Sequence, residues 1–189
     1  MQLKMIFDRH GSAFPESPVL PPEYRLRIWN EADRLKYLEL RECCGFSNVR
    51  AEKELSDALS DLRPGGFLLI EETATGRLAA SAMSRLGYYR DYDNLSWVMT
   101  HPDFRGHSLG RFVCTEALRI SLSSGAAGMT LATDDFREAA LRMYLKLGWR
   151  PWLYTLEDNM RERWETISRK FNLSAAAEFK DFQGDQKWA

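Results

Sequence analysis

The chain has 189 residues, of which 26 are Lys or Arg and 27 are Asp or Glu, so its formal net charge is -1. This balance argues against a polyanion-binding surface, because neutralising phosphates needs a basic excess. Three cysteines without a CxxC pair indicate neither a disulfide framework nor a metal site. No apolar run is long enough to span a membrane and no signal peptide is recognisable. We therefore expect a cytoplasmic protein without nucleic-acid or membrane partners.

The N-terminal third of the chain predicts an arm followed by a strand and two helices. Four prolines within residues 8–23 fix φ and remove amide donors, so residues 1–23 are expected to form a partly extended N-terminal arm. Tyr24–Trp29 alternates in a way that is typical of a strand. Asn30 is placed to cap a helix that runs to about residue 44, and a second helix is expected to end before Pro64.

The remaining predicted elements are three successive strands followed by three helices that alternate with two more strands. A hairpin is expected around the turn residues Thr73–Gly76. The strands are predicted at Phe67–Glu71, Leu78–Leu86, Leu95–Thr100, Met129–Thr133 and Trp149–Leu156, and the helices carry the apolar faces that begin at Leu109, Ala140 and Met160. Residues 24–158 are thus expected to form one domain, with residues 159–189 as a helical extension packed on it.

This order of elements predicts an α/β protein with a mixed, mostly antiparallel central sheet flanked by helices. The early strands follow one another too closely for crossover connections, so they should pair antiparallel. The interval from Leu95 to Thr133 leaves room for one strand–helix–strand unit with a parallel pair.

The stretch Arg105–Arg111, between a predicted strand and a predicted helix, has the features of an anion site. The first-turn amides of a helix lack intrahelical partners and lie at the positive end of its dipole. Gly106 and Gly110 allow close approach of the backbone, and the two arginines add positive charge. The stretch lacks the GK[ST] ending of a Walker loop and the GxGxxG fingerprint. A glycine-containing turn with solvated arginines explains the spacing as well.

Two segments together carry a family pattern. Trp97–Gly110 contains a strand followed by His-Pro-Asp-Phe-Arg-Gly, and Ala139–Trp149 contains an alanine, Tyr144 and the run Leu-Gly-Trp. They resemble the GNAT superfamily of N-acetyltransferases, matching its His-Pro-x-aromatic-Arg-Gly turn, its acyl-CoA-binding helix and its alanine–tyrosine–leucine-glycine-aromatic signature. The close resemblance covers about residues 95–150, and the element order fits from Tyr24 to Leu156.

The resemblance implies that acetyl-CoA is the cosubstrate and that no metal is needed. The family's pyrophosphate signature falls on Arg105, Ser108 and Gly110, and Ser108 stands where the family has its central glycine. A serine there would either crowd the phosphate or donate a hydrogen bond to it. The backbone of Val98 and Thr100 would pair with the pantetheine arm. The implied acetyl-CoA-binding residues are Val98, Met99, Thr100, Arg105, Gly106, His107, Ser108, Leu109, Gly110 and Arg111.

Amine acetylation needs a neutral amine, a stabilised oxyanion and a proton for the departing thiolate. The resemblance implies that Tyr144 donates to the sulfur and that a strand amide near Met99 holds the oxyanion. Helical spacing by itself makes Tyr144 a core residue. Asp93 lies near the position where some family members carry a carboxylate base, and a solvated polar turn is the other interpretation of its loop. His101, next to Pro102, is expected to serve the turn.

The function that the resemblance implies is transfer of an acetyl group from acetyl-CoA to a primary amine, by direct attack through a tetrahedral intermediate. A small-molecule amine is favoured because no peptide-binding or nucleic-acid-binding extension is evident. Two alternatives stay open, namely a non-catalytic acyl-CoA-binding or sensing module on the same fold and an α/β domain for another phosphorylated ligand. The protein is expected to be a monomer or a homodimer.

Overall fold

The computed structural model describes residues 1–10, 13–89, 91–154 and 159–172. Within these residues, seven strands form one sheet and five α-helices cover its two faces. The strands are β1 (Leu3–Asp8), β2 (Tyr24–Ile28), β3 (Leu62–Glu72), β4 (Leu78–Tyr89), β5 (Tyr92–Thr100), β6 (Gly128–Thr133) and β7 (Arg150–Trp152). The helices are α1 (Arg34–Cys43), α2 (Ala51–Ser60), α3 (Leu109–Ser123), α4 (Glu138–Lys146) and α5 (Met160–Phe171).

The sheet is mixed, as the sequence predicts. Its strand order is β2-β3-β4-β5-β6-β1-β7. Neighbouring strands run antiparallel except β5 and β6, which run parallel and are joined through α3. A crossover helix is what a parallel pair of consecutive strands requires. The predicted α/β fold with one parallel strand–helix–strand unit is confirmed.

β1 is an element that the sequence analysis missed. Residues 1–23 are predicted above as an arm, yet Leu3–Asp8 pairs with β6 on one side and with β7 on the other. Its buried positions include both Met5 and Ile6, because both faces of the sheet are covered there. The strand therefore lacks the alternation on which strand prediction depends. The proline-containing segment after it lies along α3, where Ser17 donates a hydrogen bond to Glu116 at 3.0 Å.

The start of β3 and the bounds of β7 differ from the prediction, whereas the second helix ends before Pro64 as expected. The second helix ends at Ser60, and Leu62 already belongs to β3, where it pairs with Arg85. A register shift in β3 between Leu62 and Phe67 accommodates Pro64, and such irregularities are where a sheet tolerates proline. β7 ends at Trp152, whereas residues 155 and 156 of the predicted last strand lie outside the described residues.

The strands β4 and β5 also extend into the segment that the sequence analysis interprets as a loop. β4 runs to Tyr89 and β5 begins at Tyr92, so Asp93 lies inside a strand, opposite Met129 of β6. The tyrosines favour this extension because Tyr89 packs on Trp152, with ring centroids 4.7 Å apart. Burial of these rings outweighs the turn character of the polar residues between them.

The two faces of the sheet carry separate cores. α1 and α2 cover one face around Tyr37 and Phe67, and α3, α4 and α5 cover the other around Met129 and Trp164. The predicted cap is confirmed, since the Asn30 side chain accepts a hydrogen bond from the Ala32 amide at 2.9 Å. In this strand order β5 lies in the middle of the sheet, with helices on both sides of its C-terminal end. No helix among the described residues has the length and apolar character needed to cross a membrane.

Candidate active site

The site begins where β5 separates from β6. The parallel ladder between them ends at the pair Leu95–Leu131. On its other side, β5 pairs with β4. There Met83 of β4 pairs with Ser96 and Ser81 pairs with Met99, so β5 contains one extra residue between these two pairs. A bulge of this kind bends a strand and ends its regular pairing. The second half of β5 thus leaves β6, and a gap opens in the sheet.

Trp97 forms the bulge. It has a φ of 50°, which is unusual for a residue other than glycine. Its carbonyl accepts a hydrogen bond from the Ser81 hydroxyl at 3.1 Å. Beyond the bulge, the His101 amide donates to the carbonyl of Ala79 on the β4 side at 2.9 Å. Backbone groups alternate sides along a strand, so Thr100 and Val98 direct theirs toward the gap.

The chain then turns into α3 through two residues with positive φ. Gly106 has a φ of 89° and Ser108 a φ of 59°, and α3 begins at Leu109. The first amide bonded back into the helix is that of Phe112, which donates to the Ser108 carbonyl at 2.9 Å. The preceding amides therefore lack intrahelical acceptors and are directed outward at the positive end of the helix. The Ser108 hydroxyl caps none of them.

A cavity of about 810 Å³ occupies the gap between β5, the start of α3 and α4. Nine of the predicted site residues line it, namely Val98, Thr100, Arg105, Gly106, Ser108, Leu109, Gly110, Arg111 and Tyr144. Its wall is tight at Gly110, where an added Cβ would lie 3.0 Å from Thr100 Oγ1 and 3.5 Å from Met143 Sδ. The cavity can therefore take an extended ligand whose anionic end meets the α3 amides.

Positive charge surrounds this cavity. Arg105, Arg111 and Arg137 all line it. The Arg111 guanidinium also donates to the Glu16 carbonyl at 3.4 Å, which ties the N-terminal segment to α3. The carboxylate in the lining, that of Glu138, is paired with Lys170 at 2.5 Å. The balance of charge favours an anionic ligand such as a pyrophosphate.

Tyr144 is both a core residue and part of the cavity wall. It is 6% exposed and packs against Trp149 with ring centroids 6.0 Å apart, as a core residue would. It also lines the cavity. Burial raises the pKa of its phenol well above the ordinary value, so the hydroxyl keeps its proton at neutral pH. A protonated phenol in the cavity wall is able to donate to a leaving group.

Asp93 is not brought to the cavity. Its carboxylate is buried and forms two hydrogen bonds with Arg63, from Nε to Oδ2 at 2.7 Å and from Nη2 to Oδ1 at 2.9 Å. Both oxygens are thus engaged by one guanidinium in a bidentate pair. This pairing depends on the extension of β5, which places Asp93 in a strand and not in the expected loop.

The other two predicted site residues, Met99 and His107, also lie apart from the cavity lining. Met99 faces the α1 and α2 core. The His107 ring packs edge-on against Tyr24, with centroids 5.7 Å apart. His101 serves the turn, as predicted, because its Nδ1 accepts the Asp103 amide at 3.1 Å. Burial, together with the guanidinium of Arg77, lowers the pKa of His101.

The structure adds residues to the site that sequence reasoning missed. Phe136 and Arg137 line the cavity just before α4, and the Arg137 guanidinium lies 4.5 Å from the centroid of Phe46. Cys44, at the end of α1, donates to the Thr100 carbonyl at 3.4 Å. Phe136 and Arg137 lie between the end of a predicted strand and the helix that carries Tyr144, and this position could have indicated them as site residues. Nothing local marks Phe46 or Cys44.

The gap at the bulge and the start of α3 beside it form a site of a definite class, one that binds an extended ligand with an anionic group. The family model of the acetyltransferase (GNAT) family matches residues 26–149. The chain belongs to this family, as its sequence resemblance indicates. No curated protein matches the chain by sequence. Among the described residues, no group of His, Cys, Asp and Glu side chains is arranged to hold a metal ion.

Solved structures show the same fold. A GCN5-related N-acetyltransferase from Sphaerobacter thermophilus aligns with a TM-score of 0.64 at 19% identity, over 79% of this chain and 47% of that chain. Glucosamine-6-phosphate N-acetyltransferase from Arabidopsis thaliana aligns with a TM-score of 0.51 at 22% identity, over 66% and 90% of the two chains. The ribosomal-protein-S18-alanine N-acetyltransferase of Escherichia coli gives 0.53 at 18% identity, over 66% and 76%. The present chain spans about half of the Sphaerobacter protein, and at these identities the likeness concerns the fold alone.

Proposed function

We propose that the protein is an acetyl-CoA-dependent N-acetyltransferase that acts on a primary amine of a small molecule. The observation that carries this proposal is the cavity between the separated strands β5 and β6, which ends at the first turn of α3. An acyl-CoA needs a slot for an extended arm and a cradle for a pyrophosphate, and this cavity offers both. Family membership supports acyl transfer as the class of reaction.

The residues around the cavity fit acetyl-CoA. The amides at the start of α3 and the guanidinium groups of Arg105 and Arg111 would hold the pyrophosphate. The absence of a side chain at Gly110 lets Thr100 and Met143 pack close to the start of α3, so that no side chain pushes the cavity wall toward the phosphate. The backbone groups of Val98 and Thr100 would bond to the pantetheine arm in the manner of a strand.

Acetyl-CoA supplies an activated thioester, and the chain supplies donors around it. Val98 directs its backbone toward the gap, whereas Met99 pairs with Ser81 of β4. We therefore assign the oxyanion-stabilising amide to Val98, one residue from the position expected from the sequence. Tyr144, whose phenol stays protonated, would donate to the departing sulfur.

The proton of the attacking amine leaves to water in this proposal. Asp93 is held by Arg63, and Glu138 in the cavity lining is held by Lys170. Both oxygens of Asp93 accept hydrogen bonds from Arg63, and Asp93 does not line the cavity, so it is not placed to take a proton from the amine. The rate should accordingly rise with pH as the amine itself loses its proton, with no carboxylate-like step at acidic pH.

A non-catalytic acyl-CoA sensor is the second candidate, and the engaged state of Asp93 and Glu138 is the observation that favours it. Turnover with an amine panel separates the two. The panel should contain amino sugars, amino-sugar phosphates, polyamines, amino acids and peptides, because family structures differ in their acceptors. Thiol release above the rate of hydrolysis supports the enzyme. Tight CoA binding without release across the panel supports the sensor.

Tyr144→Phe tests the role of the phenol once an acceptor is known. The substitution removes the proton donor and keeps the ring that packs on Trp149. General acid catalysis typically contributes 10²–10⁴-fold, so single-turnover acetyl transfer should slow by about that factor. Acetyl-CoA affinity, measured by calorimetry, should change less than about tenfold, since one polar contact is lost. Transfer at the wild-type rate would remove Tyr144 from the mechanism.

A further inference from the structure

Arg41 on α1 is a buried arginine whose hydrogen bonding is incomplete. Its side chain is 1% exposed. Nη2 donates to Glu54 at 2.6 Å and to the Ser47 carbonyl at 3.3 Å, while Nε and Nη1 have no hydrogen-bond partner. Burying unpartnered N–H groups of a charged side chain is unfavourable, and an apolar residue of similar size would avoid that cost. The position therefore calls for a reason other than stability.

The guanidinium also lies over two aromatic rings, those of Phe46 and Trp97, and Trp97 belongs to the bulge of β5. Its central carbon lies 4.0 Å from the centroid of the Trp97 ring, and that ring meets Phe46 edge-on at 5.4 Å. A cation over an indole face is among the more favourable cation–π pairs, and removal from water strengthens it. Arg41 is thus anchored by Glu54 on one side and stacks on Trp97 on the other.

Trp97 needs such support because of its backbone. A bulky residue with a φ of 50° is strained, and a strained residue persists only where its surroundings enforce the conformation. Three contacts do so here, namely the Ser81 hydroxyl on the Trp97 carbonyl and both Arg41 and Phe46 on the ring. Without them, β5 would be free to straighten and to continue its pairing with β6 beyond Leu95.

We infer that Arg41 is a positioning residue that holds the Trp97 bulge and so keeps the gap between β5 and β6 open for the acyl-CoA arm. It acts through Trp97, since it does not line the cavity itself. The identity of the ligand in this inference rests on the proposed function. The effect of Arg41 on β5 does not rest on the proposed function, because the bulge and the gap are properties of the protein alone.

Arg41→Met tests the inference, because methionine keeps an apolar stem and loses the stacking group. We expect its acetyl-CoA dissociation constant, measured by calorimetry well below its melting temperature, to rise at least tenfold. The matched control is Leu55→Ala, a buried residue of α2 in the same core cluster. It should lower the melting temperature and leave the dissociation constant within twofold. Equal dissociation constants for Arg41→Met and the wild type would overturn the inference.

A double-substitution cycle distinguishes positioning from a general loss of packing. Glycine adopts a φ of 50° without strain, so Trp97→Gly should hold the bulge without support from Arg41. Adding Arg41→Met to Trp97→Gly should then change acetyl-CoA affinity less than twofold, against at least tenfold in the wild-type background. A tenfold loss in both backgrounds would show that Arg41 does not act through Trp97.

Hydrogen exchange gives a readout that needs no ligand. The Val98 amide faces the gap in the wild type beside the end of β6 at Thr133, and it should exchange more slowly in Arg41→Met as β5 pairs with β6. Unchanged exchange at the Val98 amide would contradict the inference even if the protein binds no acyl-CoA. If Arg41→Met fails to fold, Glu54→Ala replaces it, since Glu54 is 40% exposed and anchors the guanidinium. Exchange of the Val98 amide should then slow as well, and unchanged exchange would again count against the inference.

Discussion

Ser108 offers a test of how the backbone forms the start of α3. It has a φ of 59° and a ψ of 14°, a left-handed conformation that costs a residue other than glycine about 1–2 kcal/mol. Ser108→Gly removes this cost. The greater conformational freedom of glycine in the unfolded chain lowers the free energy of unfolding by about 0.4–1 kcal/mol. The net gain in the free energy of unfolding should be roughly 0.5–1 kcal/mol. For a chain of this size, that corresponds to a rise in Tm of about 1–4 °C.

A second variant distinguishes the effect of the Ser108 hydroxyl from the effect of the Ser108 backbone conformation. Ser108→Ala keeps the Cβ and its strain and removes the hydroxyl, so its Tm should match that of the wild type. Because this exposed hydroxyl lines the cavity and caps no helix amide, we expect it to donate to the bound pyrophosphate. A hydrogen bond to a charged acceptor contributes about 1.5–3 kcal/mol, so CoA binding should weaken at least roughly tenfold in both variants.

The assay is thermal unfolding of the three proteins without ligand, followed by calorimetric titration with CoA. A lower Tm for Ser108→Gly than for Ser108→Ala would refute the strain argument. Unchanged affinity in Ser108→Ala together with tighter binding in Ser108→Gly would show that the side chain crowds the phosphate and does not bind it.

Three further predictions follow from single contacts. Gly110→Val should weaken acetyl-CoA binding at least tenfold in calorimetry with a smaller change in Tm, because its side chain meets Thr100 and fills the cradle; wild-type affinity would place the phosphate elsewhere. Asp93→Asn should lower the free energy of unfolding by about 3 kcal/mol or more in denaturant titrations, by leaving Arg63 without its carboxylate. Its single-turnover rate should stay near that of the wild type, and a hundredfold loss would restore Asp93 as the base. His101→Asn should reduce the loss of stability between pH 7 and pH 5, because the pKa of His101 is lowered from 6.5 on folding and the unfolded chain binds the proton more readily. Equal losses in denaturant titrations at the two pH values would contradict this.

The local parts of the site could be predicted from the sequence. The turn at His101, the glycines around the start of α3 and the apolar face that carries Tyr144 depend on residues within a few positions of one another. Capping, proline restriction and helical periodicity act over that range, so their signals survive in a single sequence. The same holds for the parallel pair, because the length of the connection through α3 restricts the topology.

The tertiary structure alone decided the features that depend on strand register. β1 enters the sheet between β6 and β7, and Asp93 meets Arg63, because pairing brings distant segments side by side. The bulge at Trp97 arises from a mismatch of one residue between β4 and β5, and the Arg41 that contacts it belongs to a helix more than fifty residues earlier in the chain. Side chains alternate along strands, so a shift of one residue changes which groups face a site. A register of this kind is fixed by the packing of the whole sheet and leaves no local pattern in the sequence.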